Sequence, residues 1–214
     1  MLTVSSDAVT DMRYLLGREY RRESVVKFVG DKYALEKPQR LLLYRCVYPP
    51  GTAKAHKDKL TAPGSLSKAR LSIDGFNVLW TIDSVLKGRP IFLSDDGLVR
   101  DISMVKGKPS VDVLFEAIRL AVDSIGNLKP VHVHFVFDRP ISQSGEVSKM
   151  VRETLESKSI NGMASTSASV DSEIIGMGDV VASSDSVIIE KATRVFDLGG
   201  YVVTKSLQIT PIKI

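Results

Sequence analysis

The stretch Leu71-Ser-Ile-Asp-Gly-Phe-Asn-Val-Leu79 limits what this chain can fold into more than any other. A β-branched apolar run carries one carboxylate, Asp74, into a glycine turn, and an amphipathic segment follows at once. That is the strand–turn–helix unit of a parallel α/β sheet, whose ligand sites form beyond the carboxyl ends of the strands. Asp74 is equally suited to capping the following helix, because aspartate is a favoured N-cap residue.

Recurrence gives the carboxylate its weight. Val131-His-Val-His-Phe-Val-Phe-Asp138 alternates as a strand and also ends in aspartate. Met163–Val170 reads as a strand of small and hydroxylated residues leading into Asp171 and a short helix. Asp179–Asp185 is a further strand ending on Asp185. Helices are expected over 78–86, 110–125 and 146–157, and from Val187 to a stop at Gly199-Gly200, followed by a strand at Tyr201–Thr204. Pro90–Arg100 reads as a hairpin turning at Asp95-Asp96-Gly97, where a solvated turn is the plain reading of both acids. His132 and His134 share one strand face, but with no cysteine or third histidine nearby they read as ordinary sheet-face residues.

The net charge of +4 hides an asymmetry. Residues 1–70 hold 14 Lys and Arg against 7 Asp and Glu, whereas residues 71–214 hold 15 against 18. The basic front reads as three short helices, about 5–17, 21–30 and 37–48, the last stopped by Pro49-Pro50-Gly51. They suit a helix-turn-helix variant or a small bundle of another purpose. Residues 51–68 read as linker, which divides the chain into a basic helical module over 1–65 and an α/β domain over 66–214. A polyanion suits such a front. Arg18, Arg21 and Arg22, with Arg139 beside the second strand-end aspartate, are its candidate nucleic-acid contacts. No apolar run reaches the 18–20 or so residues that span a bilayer, so no membrane partner is expected. The N-terminus lacks a signal-peptide pattern, and the lone Cys46 suits a reducing, cytoplasmic setting. Nucleic acid is the expected partner, with a homo-oligomer left open.

In a parallel sheet, Asp74, Asp138, Asp171 and Asp185 would share one rim. At about 5 Å and an effective dielectric near 20, each pair of carboxylates repels by about 3 kcal/mol. Protonation or a divalent cation relieves such a cluster. Hard oxygen donors without sulfur select Mg²⁺ or Mn²⁺. A cation held there activates water and neutralises a phosphodiester.

Ile73-Asp-Gly-Phe-Asn77, Val136-Phe-Asp138, Val170-Asp-Ser-Glu-Ile-Ile175 and Val181-Ala-Ser-Ser-Asp185, in that order, resemble the PIN-like superfamily and its NYN branch over roughly residues 70–205. The resemblance implies a metal-dependent ribonuclease fold with Asp74, Asp171 and Asp185 in the acidic cluster and Asp138 beside them. Asn77 and Ser184 would be supporting residues. Phe76 stands where the branch has tyrosine, and Glu116 matches no clear motif for the helical glutamate of toxin-type members. The hairpin at 90–101 resembles an insertion from which Asp96 or Asp101 would reach the site. The whole chain also resembles the prokaryotic family called domain of unknown function 434, through Asp11–Leu16, Tyr44–Val47 and Asp95–Asp101. The expected function is metal-dependent phosphodiester hydrolysis, RNA ahead of DNA. The alternative is a non-catalytic nucleic-acid-binding or regulatory protein on the same scaffold. A phosphatase-like reading is weaker, because the first strand offers Asp-Gly-Phe-Asn and not Asp-x-Asp.

Overall fold

A computed structural model describes residues 2–102 and 111–214, without the side chains of 111–113. Four helices come first: α1 (Ser6–Gly17), α2 (Arg22–Lys32), α3 (Lys37–Cys46) and α4 (Pro50–Asp58). Local chemistry places their starts. The Ser5 hydroxyl accepts from the Ala8 N–H at 3.3 Å, and Glu36 and Gln39 form a capping box at the head of α3. Pro50 occupies the first turn of α4, where a missing N–H costs nothing.

A short 3₁₀ turn (Pro63–Lys68) leads into β1 (Arg70–Asp74) and α5 (Gly75–Leu86). The hairpin β2 (Ile91–Leu93) and β3 (Val99–Asp101) follows, then α6 (Val111–Leu128), β4 (His132–Asp138) and α7 (Ser144–Ser157). The chain continues with β5 (Gly162–Ser167), α8 (Val170–Met177), β6 (Val180–Ala182), α9 (Ser186–Lys191), α10 (Leu198–Tyr201) and β7 (Ile212–Lys213). The helix expected over 110–125 begins, at residue 110, outside the described residues.

The main sheet has the order β5-β4-β1-β6 and is parallel at every pairing. Helices cover both faces, so β1, β4 and β6 are buried on both sides, while the edge strand β5 is partly exposed. Leu71, Ile73, Val133, Phe135 and Phe137 pack towards α5, α6 and α7, while Val136 and Val181 join Ile174 of α8 and Ile188 and Ile189 of α9. His134 is buried against the Ser165 hydroxyl, 2.7 Å away, and His132 lies 3.3 Å from Asn161. A second, three-stranded sheet, β3-β2-β7, joins the hairpin to the C-terminus.

Gly75 is required by a close approach: a Cβ there would fall inside the edge of the Phe137 ring, which itself packs on Phe76 at 5.0 Å. Gly75→Ala is expected to cost about 1–3 kcal/mol by overpacking the start of α5, as measured by urea denaturation.

Three expectations are corrected. Residues 51–68 are not a linker: they form α4 and the 3₁₀ turn, and Leu60 then bridges to Val195. The helix after Asp185 ends at Lys191, and the strand expected at Tyr201–Thr204 is helical, passing from α10 into a wider π-type turn over Val202–Ser206. The cause is Asp197, whose carboxylate accepts from the Gly200 N–H at 2.8 Å and so opens a new helix where the glycine pair was expected to end one. The front helices are joined to the hairpin by polar contacts. Asp95 accepts from Arg13 (2.9 Å) and from the Tyr48 N–H (3.0 Å), and its own N–H donates to the Cys46 carbonyl (2.9 Å). Cys46 is buried in this junction, which pushes its thiol up to about 12.

Candidate active site at the carboxyl rim of the sheet

Asp74 is the last residue of β1 and pairs in register with Val136; Asp138 is the last residue of β4, opposite Ser167. From β5 the chain turns into α8, whose first turn carries Asp171. From β6, which ends at Ala182 opposite Ile73, it turns into α9, which Asp185 caps by accepting from the Val187 N–H at 2.7 Å. All four aspartates therefore lie along one edge of four parallel strands, the edge at which ligand sites form in open α/β sheets.

They are not equivalent. Asp74 is only 7% exposed, Asp138 half-buried, and Asp171 and Asp185 exposed. Burial pushes the Asp74 carboxyl up to about 7, and the charges of Asp138 and Asp185 push the same way. Hydrogen bonds from the Ser183 hydroxyl (3.0 Å) and the Asn77 N–H (3.4 Å) oppose that rise without cancelling it. Asp74 therefore caps α5 and also faces other carboxylates. Asp138 is raised as well, by burial and by Asp171.

The β6–α9 loop is tied to Asp74 and α5 by short polar contacts. Ser183 Oγ donates to Asp74 Oδ2 and accepts from the Asp185 N–H at 3.1 Å, so one hydroxyl bridges two of the acids. Asn77 Oδ1 accepts from both the N–H and the hydroxyl of Ser184, each at 2.9 Å. Asn77 and Ser184 thus lock α5 to the loop that carries Asp185.

The donor set is all oxygen, which suits a hard divalent cation. Among the described residues, Asp74 makes no ion pair with a cationic side chain, so its charge when ionised is uncompensated. The residues fit the chemistry of a Mg²⁺ or Mn²⁺ site. As they lie, no three acid, imidazole or thiol side chains among the described residues are grouped to ligate one ion.

Residues 63–201, which include every one of these aspartates, match the family described as Domain of unknown function (DUF5616). The chain belongs to that family. Its front helices, residues 6–59, match a second description, Protein of unknown function (DUF434). The likeness to the latter family, expected over the whole chain, is thus confined to the front. Across both segments the chain is similar to Uncharacterized protein MJ0935 of Methanocaldococcus jannaschii, at 34% identity over 196 residues, covering 89% of this chain and 92% of that protein. No solved structure matches the chain. No helix among the described residues is long and apolar enough to cross a membrane.

In this DUF5616 member the remaining candidates, Arg139 next to Asp138 excepted, lie elsewhere. Asp96 does not reach the rim. It is fully buried at the junction with the front helices, bound by both terminal nitrogens of Arg100 (2.6 and 2.8 Å), by Ser94 (2.6 Å) and by His56 Nδ1 (3.0 Å). Burial alone would raise its carboxyl, but Arg100 overcomes that and holds it at about 2. Glu116 on α6 is taken up by both ends of the Arg119 guanidinium, at 2.6 and 2.8 Å. Arg22 is committed to structure: it donates to the carbonyls of Tyr44 (2.7 Å) and Val47 (2.8 Å) and lies 4.5 Å from the Tyr48 ring centre. Arg18, Arg21 and Arg139 are exposed. Tyr44 is 39% exposed on α3, and burial, with Glu23 beside it, pushes its hydroxyl up.

Sequence reasoning missed Ser183 and Arg100. Ser183 had a signal, a second hydroxyl in the Ser-Ser-Asp run. Arg100 had none beyond its place in the hairpin, since its partners outside the hairpin, Ser184 and Tyr48, lie on two distant segments.

Proposed function

We propose that the chain is a PIN-like, divalent-metal-dependent phosphodiesterase acting on nucleic acid, with RNA the leading substrate. The observation that carries this reading is the rim itself: Asp74 is buried, raised to about 7, and shares its edge of the sheet with Asp138, Asp171 and Asp185. Asp74, Asp138, Asp171 and Asp185 would hold Mg²⁺ or Mn²⁺, which supplies water activation and charge neutralisation at phosphorus. Asp74 takes its part once ionised. Ser183 fixes the direction of its carboxylate and holds the Asp185 amide beside it. Asn77 and Ser184 keep α5 and the loop carrying Asp185 at constant spacing. Exposed Arg18, Arg21 and Arg139 would contact phosphates, which positions a strand without reading its sequence.

The test is cleavage of single-stranded RNA, duplex RNA and DNA by the purified chain with Mg²⁺, Mn²⁺ or EDTA. Metal-dependent cleavage of single-stranded RNA is expected; none on any substrate would remove the reading. Binding should weaken steeply with salt, and Arg21→Gln and Arg139→Gln should each flatten the log–log slope by up to about one. Unchanged slopes in fluorescence anisotropy would take those arginines out of the interface.

A second reading, a binding scaffold without turnover, is favoured by one observation: as they lie, the carboxylates are not gathered around one point. Salt-sensitive RNA binding without cleavage would select it.

A further inference from the structure

The loop Ser183–Asp185 carries one acid of the proposed site and the hydroxyl that steadies another, and its main chain, held at the Ser184 N–H by Asn77, is also held from outside the rim. Arg100 Nε donates to the Ser184 carbonyl at 2.9 Å. The rest of that guanidinium is fixed by Asp96 at 2.6 and 2.8 Å and by the Ser94 hydroxyl. Arg100 is 1% exposed, and its guanidinium carbon lies 5.2 Å from the ring centre of Tyr48, at the end of the front helix α3. Arg22 of α2 lies against the same ring at 4.5 Å and donates to the Val47 carbonyl. Asp96 is also held by His56 of α4. A planar fork can grip a carboxylate with two nitrogens and a carbonyl with a third; an ammonium cannot hold both in fixed geometry.

We propose that Arg100 is a positioning residue for the acidic rim: its clamp on the Ser184 carbonyl aims Asp185 and Ser183 at Asp74, and it does so only while the front helices are docked around Tyr48 and His56. This rests on the reading of the rim as a cation-holding site. It gives the front helices a task besides contacting nucleic acid, that of completing the site. Outer partners that orient metal ligands typically account for 10- to 100-fold in metal affinity.

The test uses the full chain carrying Arg100→Lys, and separately Asp96→Asn with Arg100→Gln, a neutral hydrogen-bonded pair that keeps the junction folded should the lysine fail. Two quantities are read on folded protein: Mn²⁺ affinity by calorimetry, and amide exchange at 183–187 against that of β1 in chelator. The expected result is Mn²⁺ binding weakened about tenfold or more, with exchange faster at 183–187 and unchanged in β1. Wild-type Mn²⁺ affinity and wild-type exchange in either folded variant would overturn the proposal. So would acceleration spread equally through β1, the mark of a general brace. If wild-type protein binds neither Mn²⁺ nor Mg²⁺, the phosphodiesterase reading fails by itself. The exchange pattern, measured without metal, still decides whether Arg100 positions the loop.

Discussion

Asp74→Asn is expected to reduce Mn²⁺-stimulated cleavage of single-stranded RNA by at least about a hundredfold, the upper end of what even an outer partner of a metal site contributes, while RNA binding stays near wild type. Asparagine keeps the shape and caps about as well as aspartate, so α5 should still form. It removes the ionised oxygen that a cation would need. Stability should move the other way. The folded-state value of about 7 lies above the ordinary 3.8, so the folded protein binds the extra proton. Raising pH therefore destabilises it: the benefit is whole below about pH 4 and is lost as pH rises towards 7. The span of roughly three pKa units corresponds to about 4 kcal/mol. In EDTA, wild type should lose stability between pH 5 and 8 much more than Asp74→Asn does. Asp197, which burial pushes up to about 6, adds a slope of the same sign to both proteins, so the difference between them is the readout. Mn²⁺ should flatten the wild-type slope and leave the variant's alone. Parallel pH curves for the two proteins, with and without Mn²⁺, would show that Asp74 only caps a helix.

Asp96→Ala is expected to cost about 3–5 kcal/mol, the usual penalty for leaving the partner of a buried ion pair uncompensated. Arg100 has almost no solvent to fall back on, and its other contacts, Ser94 and the Ser184 carbonyl, carry no formal charge. A loss of that size is a large part of an ordinary domain's stability. The pair also adds to the acid sensitivity of the fold. Arg100 holds the Asp96 carboxyl at about 2, below its ordinary 3.8, after overcoming the opposing effect of burial. Its contribution of about 2 kcal/mol is present above pH 4 and is lost as pH falls from 4 to 2. Asp96→Asn should remove that acid-limb dependence. Urea denaturation of wild type and both variants across pH 2–7 measures both effects. A loss under about 1 kcal/mol for Asp96→Ala would mean that the junction rearranges and that Arg100 is not held as described.

The sequence alone determined whatever depends on neighbours along the chain. Alternation and β-branching placed the strands that end at Asp74 and Asp138. The change of pattern after each later strand placed Asp171 in the first turn of a short helix and Asp185 just before another, which it caps, because capping is a matter of two or three residues. Parallel α/β order then sets strand ends on one edge, which is why the rim is legible in the sequence. Tertiary structure alone decided the rest. Asp96 looked like a turn residue within reach of the site, but it is buried because Arg100, His56 and Ser94 together offset the cost of hiding its charge. Residues 51–58 lacked clear apolar periodicity and read as linker, yet they are helical and carry His56 into the junction with Asp96. Tyr201–Thr204 has the composition of a strand, but the Asp197 cap, with Val202 and Val203 buried, makes it helical. The grip of Arg100 on Ser184 spans 84 residues. No local pattern encodes such a contact, because its energy exists only once water has been excluded from both ends.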